Sequence, residues 1–167
     1  MKKRKIIRLK GYDYSQKGYY FVTIEPFDRK YPFCEIINGK THLNEIGKII
    51  DDQWKWLFEQ YDYIRMDEYV IMPDHFHGII RILPDSQENV RATRESPVHS
   101  ENCKKLSLSR IIGAFKTTSS KLIHQAGYKN FKWKRSFHDR IIRDDELEIK
   151  KKYIKNNPQK YQESEHK

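Results

Sequence analysis

His75 and His77 stand two apart in "YVIMPDHFHGII", residues 69 to 80, with Phe76 between them. On a strand, side chains i and i+2 leave the same face roughly 7 Å apart, so both imidazoles can reach one metal ion while Phe76 turns to the core. Two ligands do not complete a site, and a chain with seven histidines throws up an H-x-H easily. A second set stands near the far end, in "KKYIKNNP", where Tyr153 and Asn157 are four residues apart. On a helix that spacing puts both on one face, with Cβ atoms roughly 6 Å from each other. The Asn157 carbonyl oxygen is a hard donor. A His, His, oxygen set leaves positions open on a divalent ion for the oxygens of a phosphodiester. Tyrosine is a weak nucleophile at its free pKa of about 10, but beside a polarised phosphodiester it can form a covalent phosphotyrosine bond. Such a bond keeps the energy for rejoining, whereas attack by water only hydrolyses.

These residues need a scaffold that brings residue 75 to residue 153. "GYYFVTIEPF" (18–27) is aromatic and β-branched and reads as a strand with Tyr20, Val22 and Ile24 on one face, stopped at Pro26. "CEIINGKTHL" has Asn-Gly between two short extended segments, the signature of a tight hairpin. From Asn44, a plausible N-cap, Ile46, Ile49, Ile50, Trp54, Leu57 and Phe58 recur at helical spacing. Residues 63–72 and 75–83 read as two strands joined through "MPD", with the histidines opening the second. Residues 84–105 lose periodicity and read as a mobile surface loop. A second amphipathic helix buries Leu108, Ile111, Ile112, Phe115, Ser119 and Leu122 and is stopped by Gly127. Residues 132–143 read as another strand, and a last helix begins near Asp144 and is ended by Pro158 near Asn157. Strand, helix, strand, strand, helix, strand is the split-βαβ order of an α+β, ferredoxin-like fold. The expected architecture is an antiparallel sheet with helices on one face, an extra N-terminal β-hairpin and a C-terminal helix carrying Tyr153. One domain over 1–160 and a polar tail over 161–167 are expected, without internal repeats.

Composition narrows the partner. Thirty-three Lys and Arg against 23 Asp and Glu give a net charge of +10, which favours a polyanion, nucleic acid ahead of an anionic membrane. Candidate phosphate contacts are Arg4, Arg8 and Lys10 at the amino end and Arg110, Lys116 and Lys121 on the second helix. Lys134, Arg135 and Arg140 lie before the last helix, and Lys152 and Lys155 flank the tyrosine on it. The run of lysines around Tyr153 repels itself as a bare helix face, and a docked phosphate backbone relieves that repulsion. Cys34 and Cys103 make neither a disulfide framework nor a C-x-x-C pair, so a reducing cytoplasm is expected. The basic head "MKKRKIIRLK" is not followed by the apolar stretch of a secretory signal, and no stretch suits a membrane span.

"MPDHFHGII" together with "WKRSFHDRIIRDDELEIKKKYIKNNP" resembles the two signature regions of the REP-associated tyrosine transposases, a branch of the single-tyrosine HUH transposase superfamily. "RLKGYDYSQKGYYFVTI" and "SLSRIIGAFKTTSSKLI" are also similar to that group, so the resemblance runs over residues 4–160 and is poorest over 84–105. It implies a metal-dependent endonuclease and strand transferase acting on single-stranded DNA near a short hairpin, with Mg²⁺ or Mn²⁺. Carried over by position, His75 and His77 are metal ligands, Tyr153 the nucleophile that forms a 5′-phosphotyrosine, and Asn157 the third ligand. The wider superfamily often has Gln at this last place, so Asn points to the REP-associated branch. Asp74 departs from the Asn commoner there, which bears on the turn and not on the ligands. Related enzymes occur as monomers and as dimers that share active sites, and both states stay open.

Two other readings compete. In a binding module, a ferredoxin-like sheet would display Tyr19, Tyr20 and Phe21 for base stacking with no metal dependence. A zinc hydrolase would need H-E-x-x-H or further clustered His and Cys, and the sequence has neither. His138 could donate a proton, touch phosphate or serve structure alone.

Overall fold

The computed structural model describes residues 11–84 and 105–165. Arg4, Arg8, Lys10, Cys103 and nearly all of the expected 84–105 loop lie outside them. The elements in chain order are β1 (Gly18–Ile24), β2 (Cys34–Ile37), β3 (Lys40–Leu43), α1 (Glu45–Gln60), β4 (Ile64–Ile71), β5 (Phe76–Ile82), α2 (Leu108–Gln125), β6 (His138–Ile142) and α3 (Leu147–Glu165), with a 3-10 turn at Asp144–Glu146. The main sheet is antiparallel, in the order β4-β5-β1-β6. The α+β, split-βαβ expectation therefore holds.

The sheet has two unlike faces. Tyr20, Val22 and Ile24 of β1 and Phe76, Ile80 and Ile82 of β5 join Ile50, Trp54 and Leu57 of α1 and Ile111, Ile112 and Phe115 of α2 in the main core. Alternation sends Phe21 and Ile79 to the other face, where they join Ile142 of β6 and are covered by Ile154 of α3 in a smaller apolar cluster. The two helices of the split-βαβ motif thus share one face, and the added α3 occupies the other. Asn44 caps α1 by accepting from the Gly47 N–H at 3.0 Å. The β2–β3 hairpin turns through Asn38 (φ 52°) and Gly39 (φ 70°), the left-handed pair that an Asn-Gly turn supplies.

Two boundaries and one buried position differ from the sequence expectation. The strand expected over 132–143 is regular only at His138–Ile142. Before it, the chain makes a single bridge between Trp133 and Pro26, and the Trp133 indole donates to Ser119 Oγ at 3.0 Å. That side-chain bond and the two backbone bonds of the bridge, Phe27 N–H to the Lys132 carbonyl and Lys134 N–H to the Glu25 carbonyl, hold the segment without a ladder. On α2, Ile123 is the buried residue and Leu122 is 36% exposed, because the apolar stripe drifts by one position over five turns. Pro158 does not end the last helix, which runs on to Glu165 and takes in most of the presumed tail. Pro158 is buried, and beyond it the Gln162 side chain accepts from the Gly39 N–H at 2.7 Å. Tertiary contact with the hairpin offsets the backbone hydrogen bond that proline cannot donate. No helix among the described residues is long and apolar enough to cross a membrane.

Candidate functional site

Strand register places the first half of the site. Thr23 of β1 pairs with both His77 of β5 and His138 of β6, and Val70 of β4 also pairs with His77. Val70, His77, Thr23 and His138 therefore form one row across the sheet on the α3 face. His75 precedes β5 in the turn after β4, two residues before His77, and the two rings lie 4.6 Å apart between centroids. Phe76 points to the other face and is fully buried against Trp54. The alternation expected from "HFH" is therefore the one observed.

Each imidazole is held through Nδ1. His75 Nδ1 donates to Asp74 Oδ1 at 2.7 Å, and the other oxygen of Asp74 meets Arg29 at 3.4 Å. His77 Nδ1 lies 2.8 Å from Thr23 Oγ1. With the proton of each ring on Nδ1, both Nε2 atoms carry a lone pair. His77 is 6% exposed, and its pKa is lowered to about 3, chiefly by burial and then by His75 and Lys150 nearby. It is a neutral imidazole across the physiological range.

The second half of the site comes from α3. Tyr153 overhangs His77, with ring centroids 5.6 Å apart, and Phe21, at 6.1 Å. Phe21 in turn lies 5.1 Å from the His77 ring. Lys150, one turn back, sits 5.2 Å from the Phe21 ring and 5.8 Å from the Tyr153 ring. Tyr153 is 41% exposed, so it roofs the imidazoles with one side open to solvent. Asn157, one turn on, is 9% exposed, and its Nδ2 is buried with no hydrogen-bond partner. Such an orphaned group is costly, and a rotation of about 180° about the last side-chain bond exchanges the amide N and O. Turned over, the same amide presents a carbonyl oxygen at that position. Among the described residues no three His, Cys, Asp or Glu side chains cluster in a way that could hold a metal. The donors that the structure brings together are the two imidazoles, and Asn157 lies one helical turn along α3 from the tyrosine above them.

The basic candidates are distributed unequally. Arg110 and Lys121 are exposed on α2, in the layer across the sheet from Tyr153. Lys116, also on α2, donates to the carbonyls of Lys134 and Ser136. Lys134 pairs with Glu25 at a small open cleft that also includes Phe27, Arg29, Asp74 and His75, which puts it beside the first histidine. Arg135 and Lys152 are exposed, Arg140 pairs with Glu146, and Lys155 pairs with Glu68. His138 is exposed on the edge strand beyond Thr23.

Sequence reading missed Thr23 and the packing of Phe21 on His77. Only strand register brings Thr23 to His77. Asp74 was legible as a neighbour of His75, and Lys150 as one helical turn from Tyr153.

No model of a known protein family matches the chain. An uncharacterized protein of Haemophilus influenzae (strain ATCC 51907 / DSM 11121 / KW20 / Rd) is 32% identical over 162 residues, covering 93% of this chain and 88% of that protein. The chain belongs to the family of that protein. Among solved structures, a REP-associated tyrosine transposase bound to a REP hairpin superposes with a TM-score of 0.61 over 92% of this chain and 73% of that one. At 18% identity the likeness establishes a shared fold. This family member therefore has the fold of a REP-associated tyrosine transposase, with two imidazoles and a tyrosine gathered on the sheet face that α3 covers.

Proposed function

We propose that the protein is a metal-dependent, single-stranded DNA endonuclease and strand transferase of the HUH tyrosine transposase type, acting at hairpin or repeat ends. The observation that carries this reading is the meeting of His75, His77 and Tyr153 within one chain. The transposase of shared fold is bound to a REP hairpin, which supports a hairpin substrate here.

The residues present suit Mg²⁺ or Mn²⁺. His75 and His77 would hold the ion through Nε2, since Asp74 and Thr23 occupy the Nδ1 atoms, and Asn157 would supply its amide oxygen to the position where its orphaned polar atom is buried. When bound, the ion polarises the scissile phosphate as a Lewis acid. Lys150 brings positive charge to the same opening. Tyr153 Oη attacks phosphorus, losing its proton to solvent. An O–P bond forms to the tyrosine, the P–O3′ bond breaks, and the departing 3′ oxygen takes up a proton. The DNA is left as a 5′-phosphotyrosine and a free 3′-hydroxyl, and attack by another 3′-hydroxyl reverses the step and joins the strands. Because the tyrosine and the imidazoles meet in one chain, a monomer contains the whole cluster.

The test is a labelled single-stranded hairpin oligonucleotide incubated with Mn²⁺ or Mg²⁺ and resolved under denaturing conditions. Wild-type protein forms a covalent adduct that Tyr153→Phe does not, while the variant still binds the oligonucleotide. Equal nicking by both proteins would mean that water is the nucleophile. The stacking-module reading has less support: Tyr20 is fully buried and α3 covers Phe21, which leaves half-buried Tyr19 without the expected platform.

A further inference from the structure

Tyr153 overhangs His77 only for one roll of α3 about its own axis, and the opposite flank of the helix is ion-paired to the sheet. At 100° per residue, Lys151 and Lys155 lie about 40° apart, and Tyr153 is roughly 160–200° away from them. Between the two flanks, Ile154 is buried on Phe21, Ile79 and Ile142. A single apolar line of contact lets a helix rock. The flank bearing the lysines is tied down: Lys151 Nζ is 3.3 Å from Asp67 Oδ1, and Lys155 Nζ is 2.9 Å from Glu68 Oε1.

Asp67 and Glu68 are consecutive in β4, and consecutive residues of a regular strand point to opposite faces. Here the register breaks. Met66 pairs with Ile80 and Tyr69 with Gly78, so Asp67 and Glu68 together oppose the single residue Ile79, which faces α3. This β-bulge brings both carboxylates to α3. It also returns Tyr69 to the α1 face, where the phenol donates to Asp51 at 2.6 Å. Uninterrupted alternation from Ile64 would instead aim Glu68 at α1 and Tyr69 at α3.

We propose that Asp67 and Glu68, presented side by side by the β4 bulge, are positioning residues that set the roll of α3 and hold Tyr153 over His77. This rests on the reading of Tyr153 as the nucleophile. It also divides the basic run around the tyrosine. Lys151 and Lys155 face carboxylates of the sheet, whereas Lys150 lies against the Tyr153 and Phe21 rings.

Charge exchange tests the proposal with two readouts on the full chain. The first is the NMR shift of the His77 ring protons in metal-free protein, which senses the Tyr153 ring, with Tyr153→Leu as the reference for lost contact. The second is the rate of adduct formation at saturating hairpin oligonucleotide. Lys151→Glu/Lys155→Glu and Asp67→Lys/Glu68→Lys should each move the His77 signals towards the Tyr153→Leu position and slow the adduct about tenfold or more, as misplacement of a reacting group does. The quadruple exchange should restore both readouts. If a reversal prevents folding, Asp67→Asn/Glu68→Gln serves instead, with a few-fold effect expected for exposed pairs. Unmoved His77 signals in the Asp67/Glu68 variants would overturn the proposal. So would failure of the quadruple to restore them, with weaker, less salt-sensitive oligonucleotide binding, since the lysines would then be DNA contacts. Signals that follow the charges in a protein that forms no adduct would uphold the positioning role and remove the nucleophile reading alone.

Discussion

Gly78, next to His77, is the glycine nearest the site where a single added methyl group should be felt strongly. A Cβ there would lie 2.6 Å from Trp54 Cζ2 and 2.9 Å from Phe76 Cε1. Carbon atoms pack best at about 3.5–4.0 Å, so the overlap with the indole is close to 1 Å. Trp54 cannot swing away: it is fully buried, with Phe58, Phe76 and Phe115 at centroid distances of 5.3, 4.6 and 5.4 Å. Gly78→Ala should therefore cost about 2–3 kcal/mol, the upper part of the range for overpacked cores. That is a large share of the roughly 5–15 kcal/mol that holds a domain of this kind together. Urea unfolding followed by far-UV circular dichroism measures the loss. Trp54→Phe removes the ring atoms that clash, so in that background the same alanine should cost at least about 1 kcal/mol less. Gly78→Ala within about 0.5 kcal/mol of wild type, or an equal cost in both backgrounds, would refute the steric reasoning.

In metal-free protein, His77 should make stability fall as pH drops. Its folded pKa of about 3 lies below the ordinary imidazole value of 6.5, so between those values the unfolded chain binds a proton that the folded chain does not. The slope is about 1.4 kcal/mol per pH unit over that window, present in wild type and flattened in His77→Asn when urea midpoints are compared at pH 7 and pH 5. Asp74→Ala and Thr23→Val each free an imidazole Nδ1 and should weaken Mn²⁺ binding about 10- to 100-fold by calorimetry while the fold persists. Asn44→Ala removes the cap on Gly47 N–H and should cost about 1 kcal/mol in urea unfolding, with metal affinity unchanged.

The sequence by itself determined the order of elements and the composition of the site. The period-2 pattern of "GYYFVTI" and the period-3.6 pattern from Ile46 to Leu57 state which side chains must leave water, and the core obeys them. His75 and His77 were readable as a same-face pair because alternation is local, and Tyr153 and Asn157 because helical spacing is local. Pro158 misled for a related reason: its missing N–H is a local property, whereas the bond from Gly39 to Gln162 that lets the helix continue joins residues 123 positions apart. Only the tertiary structure decided that Thr23 holds His77, that α3 lies on the face away from α1 and α2, and that a bulge turns two adjacent carboxylates towards it. Those are matters of register and roll. They depend on how separate elements dock, and no periodicity within one element encodes the angle or offset at which it meets another.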